Sequence, residues 1–434
     1  MQTEFAALVA IDWADRKHAW ALQISGSPER ETGTIDHTPE AVEVWASELR
    51  LRFGGQRIAV ALEQSRGPLV FTLTKYEHLV IFPVHPTVLV NYRKSFCPSG
   101  AKYDPSDPRL LLDILMLHRD KLRQLTADTS ETRTLQFLVE ERRKLVYEKT
   151  RYSNRLTAHL KMYFPQALAW FDEIGSNIAA EFLERRPSLD KLQRARPATI
   201  ERFFIDHNSR DRERITERLE QIRKAIPATT DAAVLTSCSA AVAAWAALLK
   251  QDLAAIATYD DKIDALARAH PDYALMNSFP GAGPALTPRL IAAKGSQRER
   301  YETAHEIECY SGIAPVVASS GQQRWVHWRW ACPKFLRQAF HEWALHSIAY
   351  SQWAREYYEQ QRTKGKRRNT AIRSLAFKWI RILFRCWKER KPYDEAVYQR
   401  TLDAHRPKKQ PSAQPVELQW KNVAGLSKIV VSEA

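Results

Sequence analysis

Short apolar runs alternate with polar breaks over the first 125 residues, a pattern typical of a domain that mixes strands and helices. The runs predict five strands, at 6–11, 18–24, 31–35, 57–62 and 79–84. Thr38 and Pro39 predict the start of a helix that ends near residue 50, because threonine caps helices and proline suits their first turn. Further helices are predicted near 68–76 and at 110–117. An α/β fold is therefore expected for this part of the chain.

The middle of the chain, residues 128–270, has the pattern of long helices. Neither Gly nor Pro interrupts 131–161, and apolar or aromatic residues recur every seven positions there and again in an Ala-rich segment at 240–267. These positions are Leu138, Leu145 and Tyr152, then Leu249, Ile256 and Ile263. Heptad spacing favours helix pairing, within the chain or between protomers, and simple packing inside a bundle explains it equally well. Asp252 interrupts the second seam.

Residues 271–395 combine glycine-rich turns with basic and aromatic residues. The turn at 279–286 leads into a helix that ends near 293, and backbone N–H groups at such a helix start can hold a phosphate. Gly281 and Gly283 are therefore candidate DNA contacts, although Gly-rich turns serve many purposes. A small-residue loop is predicted around Ser319, Ser320 and Gly321, and Arg and Trp alternate directly after it. Such aromatic residues can stack on bases or pack in a core.

Residues 361–392 carry twelve Lys or Arg and one acidic residue, Glu389, together with an apolar stripe at helical spacing. We expect one face of this helix to pack and the other to meet phosphate; a solvated surface is the alternative. The tail at 396–434 has no core pattern after His405. The remaining architecture is therefore expected to be a helical, coiled-coil middle at 128–270, a mainly helical domain at 271–395 and a tail.

The charge balance favours a nucleic-acid partner. Among 434 residues, 65 Lys and Arg outnumber 50 Asp and Glu, giving a net charge of +15. A basic excess attracts polyanions, and the clustering of the charges favours this interpretation over charge that only keeps the protein soluble. The five cysteines form no Cys-x-x-Cys pair, which excludes a typical zinc cluster or disulfide framework and indicates a reducing cytosol. We expect neither a signal peptide nor a membrane partner.

Acidic residues follow two of the predicted strands, and the order of strands and helices resembles the RNase H-like fold of RuvC-type junction resolvases. In that fold the first and fourth strands are neighbours, so Asp12 and Glu63 would meet at one sheet edge. Asp104 and Asp107 lie one turn apart where the helix at 110–117 begins. Four clustered carboxylates repel one another unless a divalent cation, Mg²⁺ or Mn²⁺, neutralises them. Taken singly, each acid could instead cap a strand, a turn or a helix.

The motifs together resemble, in order, the DEDD transposases of bacterial insertion sequences, a family that includes bridge-RNA-guided recombinases and Piv-like invertases. The resemblance extends over residues 5–395 and rests on Ile11-Asp12, Ala61-Leu62-Glu63, Lys102-x-Asp104-x-x-Asp107, the turn at 279–284, residues 311–315 leading to Ser320-Gly321, and the segments 357–358, 364–366 and 391–394.

This resemblance implies a DNA transposase or site-specific recombinase with an RNase H-like metal domain at 1–127, an assembly region at 128–270, a serine-bearing transposase domain at 271–395 and a tail at 396–434. It implies that Asp12, Glu63, Asp104 and Asp107 are catalytic and bind Mg²⁺ or Mn²⁺, and that Ser320 takes the DNA phosphate in a covalent intermediate. Ser320 is chosen because it directly precedes Gly321, and Ser319 is the alternative. In the family, the two parts of one active site come from different protomers.

The implied partners are donor and target DNA, a structured guide RNA and further copies of the chain, as a dimer or tetramer, at the nucleoid in a bacterial cytoplasm. The residues expected to bind nucleic acid are Lys102, Gly281, Gly283, Arg324, Lys364, Lys366, Arg367 and Arg368. Two rival functions stay open on the sequence. A junction-resolving nuclease would need the four acids but not Ser320, and a non-catalytic assembly protein would need neither.

Overall fold

The computed structural model describes residues 4–96, 107–209 and 211–405. The chain divides into two compact units, Met1–Ala127 (unit 1) and Asp128–Ala434 (unit 2). Unit 1 is built around a five-stranded sheet and unit 2 is mostly helical, which confirms the expected combination of an α/β part with a helical part.

The sheet of unit 1 contains β1 (Ala7–Asp12), β2 (Lys17–Ile24), β3 (Arg30–Asp36), β4 (Ile58–Leu62) and β5 (Leu79–Pro83), within two residues of the predicted bounds. Their spatial order is β3-β2-β1-β4-β5. Strands β2 and β3 run antiparallel to their neighbours, whereas β4 is parallel to both β1 and β5. Strand β4, which lies between β1 and β5, is buried along its whole length, as expected for a parallel strand covered on both faces.

Helices cover the two faces of this sheet. α1 (Pro39–Arg52) and α2 (Pro68–Leu73) pack on one face, and α4 (Asp107–His118) packs on the other, beside α3 (Pro86–Phe96). The Thr38 hydroxyl accepts the Ala41 N–H at 3.2 Å, so α1 begins where the sequence predicts. The sequence did not predict α3.

Unit 2 begins with two long helices and the short helices between them. Its elements up to residue 277 are α5 (Ser130–Tyr163), α6 (Ala167–Trp170), α7 (Asn177–Arg185), α8 (Leu189–Gln193), α9 (Pro197–Asp206), α10 (Arg212–Lys224), α11 (Ala232–Ala269) and α12 (Tyr273–Asn277). Helices α5 and α11 pack along each other within the chain. The α11 heptad positions Leu249, Ile256 and Ile263 are buried there, and Tyr152 of α5 stacks on Trp245. The heptad spacing therefore corresponds to helix pairing inside one chain.

Helix α11 is long and apolar enough to cross a membrane by length and composition, and one such helix is weak evidence for a membrane span. It carries ionic contacts to its neighbours: the Lys250 ammonium lies 2.6 Å from Glu184 of α7, and Asp260 pairs with Arg142 of α5. We therefore interpret α11 as a core helix of unit 2.

The rest of unit 2 surrounds an aromatic core. Its elements are α13 (Gly283–Lys294), α14 (Ala304–Tyr310), β6 (Val316–Ser320), β7 (Gln323–His327), α15 (Lys334–Tyr350), α16 (Gln352–Thr363), α17 (Arg368–Glu389) and α18 (Glu395–His405). Trp379 of α17 lies at the centre of this core, with its ring centroid 4.5 Å from that of Trp353 and 5.1 Å from that of Trp343. The stripe predicted in 361–392 is buried along α17, from Ala371 to Trp387.

Candidate active site

Two of the predicted acids come together at the sheet edge of unit 1. Asp12 is the last residue of β1, and Glu63 directly follows β4. The parallel register pairs Ile11 with Leu62, so the next residue of each strand lies at the same edge. Both side chains are half-buried and line one cavity of about 800 Å³. The sheet therefore brings these two carboxylates to one point, as the strand order predicts.

Asp107 borders the same cavity from the first turn of α4. Its side chain is buried, and its Oδ1 lies 2.5 Å from Nη2 of Arg93, which projects from the last turn of α3. A carboxylate at a helix N-terminus also gains from the helix dipole. The sequence analysis missed Arg93, since no motif connects it with Asp107, and it supplies the positive charge that a buried carboxylate needs.

Asp104 and Lys102 lie outside the described residues, so three of the four predicted acids can be placed. In the part of the chain that the structure describes, no three His, Cys, Asp or Glu side chains form a group that could hold a metal ion. The placed donors are nonetheless carboxylate oxygens that line one open cavity, the ligand type that Mg²⁺ and Mn²⁺ prefer. The chemistry of the donor set thus fits a hard divalent cation.

Three basic side chains, Lys17, Arg93 and Arg109, also line the cavity. Lys17 pairs with Asp36 at 3.4 Å, and both side chains are largely exposed to water. A pocket that carries carboxylates and cations together can accept a metal ion and a phosphate at once, because each balances the charge of the other.

Buried His18 fixes the turn that borders this cavity. The backbone N–H of Ala14, a lining residue, donates to His18 Nδ1 at 3.2 Å. His18 Nδ1 is thus an acceptor, which leaves Nε2 to donate to His37 Nδ1 at 2.9 Å. Burial lowers the pKa of His18, and the nearby His37 lowers it further. The neutral ring therefore holds the β1–β2 turn in place.

Ser319 and Ser320 end strand β6 of an antiparallel hairpin, where the sequence predicted a loop. Ser320 pairs with Gln323 and Ser319 with Arg324 across the two strands. Gly321 occupies the first turn position with a φ of +57°, a conformation that favours glycine. Both serines are exposed, and no described His, Lys or carboxylate hydrogen-bonds to the Ser320 hydroxyl. The described side chains around Ser320 thus supply no base for its hydroxyl.

Arg329 holds the base of this hairpin on the helical core. Its Nε donates to the carbonyl oxygen of Ala314 at 3.2 Å, and its Nη2 lies 3.5 Å from the Cys309 sulfur. Trp328 lies between two guanidinium groups, those of Arg337 at 4.8 Å and Arg373 at 4.5 Å from its ring centroid. The serines are thus presented on a projecting hairpin whose base is fixed.

A second basic region joins α16 to α17. Lys364, Arg367 and Arg368 are exposed there, and Lys366 is half-buried with its ammonium 3.4 Å from the Ser374 hydroxyl. Positive side chains at a helix N-terminus add to the positive end of the helix dipole. These charges repel one another in the isolated chain, so an anion would be favoured at this point.

The predicted phosphate-binding turn is packed closely against α15. Gly281 has a φ of +73°, and a Cβ built on it would lie 2.7 Å from the backbone nitrogen of Ser347. Gly283 has a φ of +52° with nothing within 4 Å of such a Cβ. Gly281 therefore has a packing role, and the open space at Gly283 leaves room for a ligand.

Comparisons with known proteins match two stretches of the chain. Residues 9–165 match the DEDD model of IS110 transposases, described as a transposase, and residues 273–359 match a model described as a transposase of the IS116/IS110/IS902 family. Asp12, Glu63, Asp104 and Asp107 fall in the first match, and Ser320 falls in the second.

Several proteins of insertion elements are similar over most of their length. A proposed transposase of the IS117 mini-circle from Streptomyces coelicolor is 28% identical over 408 residues, which cover 89% of this chain and 94% of that protein. An uncharacterized 43.6 kDa protein of IS110 from the same organism is 25% identical, over 78% of this chain and 83% of its own. An uncharacterized 42 kDa protein of IS900 from Mycobacterium paratuberculosis is 25% identical, over 81% and 84%.

Proposed function

This chain belongs to the IS110 family of insertion-sequence transposases, enzymes that act on DNA, and on that premise we propose that it cuts and rejoins DNA with a DEDD metal site and a serine nucleophile, guided by a structured non-coding RNA. The family implies use of a divalent metal ion. The observation that carries the proposal is the placement of Asp12, Glu63 and Asp107 around one cavity at the sheet edge.

The topology of unit 1 supports an RNase H-like fold of the RuvC type. Its strand order, with β1 between antiparallel β2 and parallel β4, is the arrangement that the fold requires. Asp12, Glu63, Asp107 and Asp104 would hold Mg²⁺ or Mn²⁺, which supplies positive charge for a phosphodiester whose negative charge grows during attack. Arg93 would hold the buried Asp107 carboxylate oriented toward the cavity.

Ser320 would act on the DNA backbone through its hydroxyl oxygen. That oxygen forms a bond to the phosphorus atom and releases its proton, the bond from phosphorus to one deoxyribose oxygen breaks, and the leaving oxygen takes up a proton. The reverse reaction with a new deoxyribose hydroxyl rejoins a strand and frees the serine. The exposed position of Ser320, beside the turn at Gly321, supports access to so large a substrate.

The basic surfaces support binding of DNA and of a guide RNA. Unit 2 presents Arg324 on the hairpin and a cluster of Lys364, Lys366, Arg367 and Arg368 between α16 and α17. Both basic surfaces would bind the phosphate backbone, and phosphate contacts carry no sequence information. In this proposal the guide RNA therefore selects the DNA sites. We include assembly as a dimer or tetramer in the proposal, since the family forms active sites across protomers.

Neighbouring serines provide a matched test. Full-length protein, purified with the RNA of its native locus, is incubated with labelled element-end DNA and Mg²⁺ and analysed on a denaturing protein gel. We expect a covalent protein–DNA adduct in wild type and in Ser319→Ala, and none in Ser320→Ala or Asp12→Asn. An adduct that persists in Ser320→Ala refutes the serine assignment.

A junction-resolving nuclease is the second candidate, because three of the acids line one cavity without any serine. It predicts DNA cleavage that survives Ser320→Ala and is lost in Asp12→Asn. The same gel, read for free DNA products instead of adducts, separates the two functions.

A further inference from the structure

The hairpin β6–β7 exposes apolar side chains on both faces. It forms a two-stranded sheet of its own, and every residue of β7 is exposed. Val326 is 59% exposed, Val317 49% and Trp325 45%. An isolated two-stranded hairpin is only marginally stable in water, so apolar groups held at its surface indicate that another molecule covers it.

The strand register places Ser319 and Ser320 on opposite faces of the hairpin. Residues directly across an antiparallel pair share a face, and successive residues alternate between faces. Ala318 and Trp325 therefore share a face with Ser320 and Gln323, which we call the serine face. The opposite face carries Ser319 with Arg324 and Val317 with Val326.

Trp325 is the aromatic side chain nearest to Ser320 in the register of the serine face. Across the strand it meets Ala318, which has a single methyl group, and Ser320 is its diagonal neighbour, about 7–8 Å away for such positions. Within the described ranges, Trp325 stacks on no ring and no guanidinium group, in contrast to Trp328 between Arg337 and Arg373. Its ring is therefore available to a ligand that lies over Ser320.

The charge around the hairpin indicates which kind of ligand it favours. From Ser311 to His341 the chain carries four Lys or Arg and no Asp or Glu. This basic surface, on a chain with a net charge of +15, attracts a polyanion such as a nucleic acid. Aromatic rings interleaved with basic side chains bind unpaired strands by stacking on the bases.

We propose that Trp325 stacks on an unpaired DNA base beside the phosphodiester that Ser320 attacks. The inference rests on the proposed function of Ser320, and it assigns to the serine face a base-binding site for single-stranded DNA. Stacking on Trp325 holds the nucleotide over the serine face, and the diagonal spacing places its phosphate near the hydroxyl. A strand at this site must be unpaired, because the ring contacts the flat surface of the base.

Binding of a fluorescent dT₁₂ oligonucleotide to the full chain, measured by anisotropy at several salt concentrations, tests the stacking. Trp325→Ala and Trp325→Leu should weaken binding about 5- to 150-fold at every salt concentration, with an unchanged salt slope because no phosphate contact is lost. Trp325→Phe should stay within about threefold of wild type, because it keeps an aromatic face. Val326→Ala is the matched control on the opposite face and should change binding less than about twofold.

The site is located by photo-crosslinking of a dT₁₂ probe that carries one central 5-iodouracil. We expect the crosslinked peptide to contain Trp325. The proposal is overturned if Trp325→Leu binds as tightly as wild type, if Trp325→Phe binds as weakly as Trp325→Leu, if the crosslink maps only elsewhere, or if only binding to a matched RNA oligonucleotide is lost.

These experiments distinguish a failure of the stacking proposal for Trp325 from a failure of the nucleophile proposal for Ser320. Ser320→Ala should bind dT₁₂ like wild type, since the hydroxyl takes no part in stacking. If Ser320→Ala loses the adduct while Trp325→Leu binds normally, the stacking inference alone is wrong. If Ser320→Ala keeps the adduct while Trp325→Leu loses dT₁₂ binding, the serine assignment is wrong and the base-binding site remains.

Discussion

Replacing Arg93 with alanine should destabilise the acid-lined edge of unit 1. The Arg93 guanidinium is the cation that lies 2.5 Å from Asp107, whose side chain is 5% exposed against 13% for Arg93. In the alanine variant the buried carboxylate loses the guanidinium beside it. Removing one partner of a buried ion pair costs more than the pair itself contributes, because the remaining charge cannot regain its full hydration.

The size of the expected stability loss follows from the burial of the Arg93–Asp107 pair. Two charges about 4 Å apart interact by about 4 kcal/mol at an effective dielectric constant near 20, and breaking a buried pair costs about 3–5 kcal/mol. The open cavity beside Asp107 admits water after the change, which reduces the penalty. We therefore expect a loss of about 2–3 kcal/mol, equivalent to a roughly 30- to 150-fold larger equilibrium constant for local opening.

Hydrogen–deuterium exchange on the full chain measures this loss in peptides that contain β1 and β4. Arg30→Ala is the control, since Arg30 pairs with Asp113 at 2.6 Å where both side chains are about a third exposed, and it should cost less than about 1 kcal/mol. Adding Asp107→Asn to Arg93→Ala should restore slow exchange, because no charge then lacks a partner. Equal exchange rates in Arg93→Ala and Arg30→Ala would refute the reasoning.

Three further predictions concern unit 2. Gly281→Ala should lower stability to chemical denaturation by more than about 2 kcal/mol, because its Cβ would collide with backbone, whereas Gly283→Ala should cost about 1 kcal/mol for its positive φ alone. Burial lowers the pKa of His270 below 6.5, so its stabilising contribution is complete above pH 6.5 and is lost as the pH falls toward the lowered value. The melting temperature should therefore drop more between pH 7.5 and 5.5 in wild type than in His270→Gln, and an equal drop contradicts this. Burial also lowers the pKa of the Lys294 amine well below 10.5, and in the described structure its Nζ has no hydrogen-bond partner. Lys294→Met should thus raise the urea midpoint at pH 7, with a gain that shrinks toward pH 10, where the unfolded lysine also loses its proton; a loss of stability at pH 7 rules this out.

The sheet of unit 1 could be predicted from the sequence because each strand is one apolar run between polar breaks. The hairpin β6–β7 could not, since every residue of β7 is exposed and none of β6 is fully buried, so the hairpin contributes no core positions to the apolar pattern. Helix α3 was missed for a related reason: only Leu89 in it is fully buried, so its apolar spacing is weak. Exposed elements leave little trace in an apolar pattern.

The candidate site could be predicted in part. Asp12 and Glu63 follow from strand order, because parallel neighbours bring their ends to one edge. The pairing of Arg93 with Asp107 depends on how α3 and α4 meet, which no spacing in the sequence encodes. The opposite facing of Ser319 and Ser320 depends in turn on the hairpin register. The roles of Asp104 and Lys102, outside the described residues, stay predictions.

The ladder between β1 and β4 determines which changes in chain length this enzyme tolerates. Asp12 and Glu63 are separated along the chain by β2, β3, α1 and β4, yet the β1–β4 ladder brings them to the same edge of the sheet. Genes that gain or lose codons in the turns between these elements would keep both carboxylates where they are. Deleting a single codon within β4 would turn Glu63 to the other side of the sheet. Changes in length are therefore tolerated in the turns between these elements and not within β4.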